Sequence, residues 1–100
     1  MNAMNEYLLL MHADSTTAED VSLWDTYLGK LNQLGAFAGG SSIGAGQCMR
    51  KAGTAAPLTP LVGFIRVRAE NLHAAQQLLA GNPAFEAGAT VEIRELLRDE

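Results

Sequence analysis

The sequence predicts an α+β sandwich, a four-stranded antiparallel sheet with two helices on one face. Three observations lead there. Strand signals recur at 6–12, 36–44, 61–68 and 89–96. Two segments, 17–34 and 72–80, place their apolar residues at helical spacing. The resulting order, β-α-β-β-α-β, closes with right-handed crossovers into a ferredoxin-like arrangement.

The first strand is "YLLLMH". It is apolar on both faces, so both sides of the sheet are expected to be covered. The first helix is expected over 17–34. Thr16 and Glu19 form a capping-box pattern, and Asp20 adds negative charge to the first turn. Val21, Trp24, Leu28 and Leu31 make its apolar stripe, widened by Tyr27 and Leu34, and Gly35 is a natural residue to follow its end. "AFAGGSSIG" reads as a second strand weakened by Gly39 and Gly40. Residues 45–60, rich in Ala, Gly and Pro, form a long loop of the kind that is either functional or mobile.

"LVGFIRVR" alternates clearly. Leu61, Gly63, Ile65 and Val67 share one face; Val62, Phe64, Arg66 and Arg68 share the other. Asn71 caps a second helix carrying Leu72, Ala75 and Leu79. Gly81 stops it, and Asn82-Pro83 reads as a turn. In the last strand Val91 and Ile93 face one way; Thr90, Glu92, Arg94 and Leu96 face the other. Two short helices cover one side of such a sheet. The second side would expose Phe64, Arg66, Glu92 and half of the first strand. A second copy packed sheet to sheet, giving a homodimer or a higher assembly, is the economical cover.

At 100 residues the chain is one domain, with residues 1–4 expected as a loose tail. The net charge of -4 and the lack of a basic stripe argue against nucleic acid and against an anionic membrane surface. The first apolar run is too short for a signal-peptide core or a membrane span. One cysteine, Cys48, excludes an internal disulfide and a Cys-rich zinc site, and suits a reducing, cytoplasmic setting. His12 and His73 lack metal-ligand spacing, and "GAGQCMRKAG" matches no phosphate-binding fingerprint, so no metal or cofactor is expected.

Chemistry concentrates at the end of the first strand. His12 and Asp14 lie two apart, so they share a face if the strand continues. A carboxylate beside an imidazole fixes its tautomer and makes a positioned acid or base. The plainer alternative is that Asp14 caps backbone amides in a turn. Ser41 and Ser42, after two glycines, could offer hydroxyls and amides to a small anionic or polar ligand, or simply follow a glycine bulge in an edge strand. Arg66 could hold a ligand carboxylate, or pair with Glu92 or Glu95. His73 reads as a surface residue and Cys48 as incidental. Trp24 and Tyr27 read as core and pocket wall.

Taken together, "YLLLMHAD", "GAFAGGSSIG", "GFIRV" and "GNPAFEAGATVEIREL" resemble the YCII-related family of the dimeric α+β barrel superfamily, over nearly the whole chain. The resemblance implies the same fold, a dimer or larger assembly, and a pocket near the end of the first strand. Some members carry a His-Asp pair proposed as catalytic, to which His12 and Asp14 would correspond. The Asp-Gly-Pro-Phe motif of one branch is absent, with the 45–60 loop in its place. Two expectations follow. One is a lyase or isomerase working on a small polar or aromatic molecule by proton transfer, with His12 as acid or base and Asp14 its orienter. The other is a non-catalytic ligand-binding or accessory homodimer.

Overall fold

The computed structural model describes residues 4–97. The order is β1 (Asn5–His12), a 3-10 turn (Val21–Leu23), α1 (Trp24–Gln33), β2 (Phe37–Ser42), β3 (Leu61–Ala69), α2 (Leu72–Gln77), α3 (Pro83–Glu86) and β4 (Val91–Leu96). The strands form one antiparallel sheet in the order β2-β3-β1-β4. This is the expected α+β class. No described helix is long and apolar enough to cross a membrane.

Alternation along the strands sorts the side chains as expected. Tyr7, Leu9 and Met11 of β1 and Ile65 and Val67 of β3 point under the helices, where they pack with Tyr27, Leu31, Ala75 and Leu79. Leu9, Leu31 and Val67 are wholly buried, and each such side chain contributes about 1.5–3 kcal/mol through burial. Tyr27 hands its phenol hydrogen to the Leu78 carbonyl at 2.6 Å, and burial pushes the phenol pKa up.

Three local expectations are corrected. The first helix begins not at 17 but with Asp20, whose carboxylate accepts from Ser22 N at 3.1 Å and opens the 3-10 turn before α1. Thr16 does not close a capping box. Its amide and hydroxyl, like those of Thr17, go to the Ala87 carbonyl across the fold, so a tertiary contact takes the place of a local cap. Asn82-Pro83 is more than a turn: Asn82, fully buried, accepts from Phe85 N at 3.0 Å and starts α3, with Pro83 pre-set for the first helical position. The caps at Asn71 and the left-handed Gly35 appear where expected. Of the expected tail at 1–4, residues 1–3 lie outside the described residues.

Residues 43–60 carry no regular structure and are almost wholly exposed, with Met49 at 82% and Leu58 at 53%. Their ends are tied down by Ile43 N to the Val62 carbonyl and Ala13 N to the Pro60 carbonyl.

Candidate functional site

A cavity of about 350 Å³ opens between α1 and the β2–β3 half of the sheet. Its origin is a shortage of side chains. Gly63 faces the helices beside Met11, where a methyl group would meet Met11 Cε and the Ser41 carbonyl oxygen, each at 3.2 Å. At Gly40 the strands approach so closely that a methyl group would stand 2.7 Å from the Phe64 carbonyl oxygen. Between Phe37 and Gly40 the β2–β3 register slips, Phe37 pairing with Val67 and Gly40 with Ile65, and Gly39 takes φ +119°. The anticipated glycine bulge in an edge strand is therefore present, and it lays a bare backbone floor. Met11, Trp24, Leu28 and Phe37 make the walls, and Ser41 and Ser42 line one side.

Glu19 completes the lining. Displaced from a helix cap by the late start of the helix, its Oε2 accepts from Trp24 Nε1 at 2.6 Å. Trp24 meets Tyr27 edge to face at 5.9 Å, which fixes the indole from behind. Sequence reasoning anticipated Trp24 as pocket wall but missed Glu19, which it read as a capping residue. The only signal for it was the Trp five residues on. Tyr27 belongs to the core alone.

The expected site residues do not converge on this cavity. Ser41 and Ser42 line it, with the Ser41 hydroxyl donating to the Ser42 carbonyl at 2.9 Å. His12 projects from the opposite face of the sheet, where Nε2 stands 3.2 Å from Glu92 Oε1, and Arg94 approaches the other Glu92 oxygen at 3.6 Å. Asp14 does not take His12 as its hydrogen-bond partner. Its two oxygens accept from Thr90 N at 2.7 Å and Thr90 Oγ1 at 2.6 Å, tying the exit of β1 to the entry of β4. Those two bonds hold the Asp14 carboxyl below the ordinary carboxylate range, with a smaller contribution from the nearby His12 charge. Asp14 thus caps a backbone amide, though one distant in sequence.

Arg66 lies on the same open face as His12 and pairs with Glu6, not with Glu92 or Glu95. It does not reach the cavity lining. His73 is exposed on α2 with Gln77 at 3.3 Å, and Cys48 is exposed in the 43–60 segment. Among the described residues no three His, Cys, Asp or Glu side chains gather as a metal set.

Chemically, the cavity is an apolar slot with one carboxylate and with Ser41 and Ser42 on its lining. The open face is a different environment, a strip of Leu8, Leu10 and Phe64 flanked by charge pairs. In comparison with known proteins, no family model matches the chain and no curated protein matches it.

Proposed function

We propose that the chain is a small-molecule-binding homodimer of the YCII-related, ferredoxin-like type, with its ligand in the slot between α1 and the glycine floor of β2 and β3. The observation that carries this reading is the cavity itself. Apolar walls with a few convergent polar groups are the usual make-up of a ligand site, and about 350 Å³ suits a small ligand. The cysteine usage fits a cytoplasmic setting.

The test is a fragment screen read on the Trp24 indole NH by NMR. Ligands of this site shift that resonance in the wild type and fail to bind Ser42→Phe, whose ring would fill the space over Gly63. Fragments that bind without moving Trp24, or bind Ser42→Phe equally well, would sink the reading.

On this reading a second copy covers the open face. Beside the Leu8, Leu10 and Phe64 strip, Arg66 pairs with Glu6 and His12 meets Glu92 within the chain, which lowers the cost of covering those groups. Leu10→Lys sets a cation beside Glu92, tolerable in a monomer but buried without need in a dimer. Light scattering should show it monomeric with unchanged circular dichroism; a dimer of wild-type affinity would remove this face as the interface.

One observation favours a second reading, a lyase or isomerase. His12 does have a carboxylate orienter, Glu92 rather than Asp14. Its substrate would sit on the open face, and His12→Gln would then abolish turnover while leaving ligand binding at Trp24 intact.

A further inference from the structure

The cavity has a charge as well as a shape. Glu19 is half-buried at its lining, and Trp24 Nε1 engages only Oε2. Among the described residues, Oε1 has no hydrogen-bond donor and no Lys, Arg or His lines the cavity. The remaining lining is the aromatic and aliphatic wall of Trp24, Leu28, Phe37 and Met11, with uncharged Ser41 and Ser42 beside it. The whole chain is also acidic, at -4. An anion entering here would meet an uncompensated carboxylate. A cation would find a carboxylate held in place by the indole N–H.

We propose that the slot selects a small amine or amidine: the cationic group donates to Glu19 Oε1, and an aromatic or aliphatic body lies between Trp24, Leu28 and Phe37. This rests on the ligand-binding reading of the cavity and names its substrate class. Of the sequence-based expectation, a small anionic or polar ligand at Ser41 and Ser42, it keeps the polar alternative and not the anionic one. The indole bond is part of the device. It fixes the carboxylate without neutralising it, so Oε1 is oriented before the ligand arrives.

Three probes with the same phenylethyl body test it on the full chain: 2-phenylethylamine, 2-phenylethanol and 3-phenylpropionate. Trp24 is the single tryptophan, so its fluorescence reports binding directly. The amine should bind at least about tenfold more tightly than the alcohol, and the acid should bind worst, as expected for one charge-assisted hydrogen bond. Glu19→Gln keeps an acceptor for the indole and removes the charge, so it should bring amine and alcohol to similar affinity. Added salt should weaken only the amine. If the alcohol or the acid binds as well as the amine, the charge selection is wrong while the cavity remains a ligand site. If Glu19→Gln retains the amine preference, Glu19 is not its source and the proposal falls. If none of the probes moves Trp24 while the fragment screen finds other ligands there, the amine class is overturned. If the screen is also blank, the ligand reading falls with it.

Discussion

The two faces of this sheet are made by alternate residues of the same strands, yet they behave as different materials. Under the helices, Tyr7, Leu9, Met11, Ile65 and Val67 are buried and uniformly apolar or nearly so. One residue over, Leu8, Leu10 and Phe64 are half-exposed and bordered by Glu6, Arg66, His12, Glu92 and Arg94. The covered face draws its stability from packing density, and the opening beside α1 comes from the absence of side chains at Gly40 and Gly63. The open face has paired its charges across strands, a state that tolerates either water or a partner. A strand apolar on both sides therefore does not mean two equivalent cores.

Substitutions can break that contrast. Leu9→Ala should lower unfolding free energy by about 2–5 kcal/mol in urea titrations, because the buried site cannot collapse fully. Leu8→Ala, its neighbour on the other face, should cost clearly less; equal losses would mean the faces are energetically alike. Asn82→Ala removes the buried cap of α3 and its 3.7 Å contact with Met11 Sδ, and should cost about 1–2 kcal/mol by the same measurement.

Asp14→Asn probes the rim where the faces meet. The Asp14 pKa is lowered in the folded state, so its contribution is complete above the unfolded value of about 3.9 and is lost as pH falls through the folded value. The variant should be less stable than wild type at pH 7, should begin to converge with it as pH falls below about 4, and should meet it only below the folded pKa. A difference that persists in strong acid would show that charge is not the cause. The smallest effect belongs to Arg66→Ala, whose exposed pairing with Glu6 should be worth about 0–1 kcal/mol and should weaken with salt.

The strands were legible because a period of two survives any environment that keeps one face wet. At Thr16, His12 and Asp14 the cause is competition from partners far along the chain; at Asp20 and Asn82 a local cap outweighs the turn or capping-box pattern. Thr16 has the spacing of a cap, but the Ala87 carbonyl lies within reach of both its amide and its hydroxyl. His12 and Asp14 sit two apart, yet Glu92 and Thr90, brought alongside by β4, take one each. Glu19 escaped notice because its role exists only once the helix starts late. No local spacing encodes a partner some 80 residues away.

The arm between β2 and β3 has a practical consequence. The chain has a radius of gyration of 15.0 Å, against about 13 Å for a compact 100-residue domain. An arm standing off the body raises hydrodynamic drag more than it raises mass. A single copy will therefore elute from a sizing column ahead of globular standards of its weight, and can be mistaken there for a pair. Trimming the arm between its two tied ends should bring the elution volume back towards those standards without altering the mass per particle.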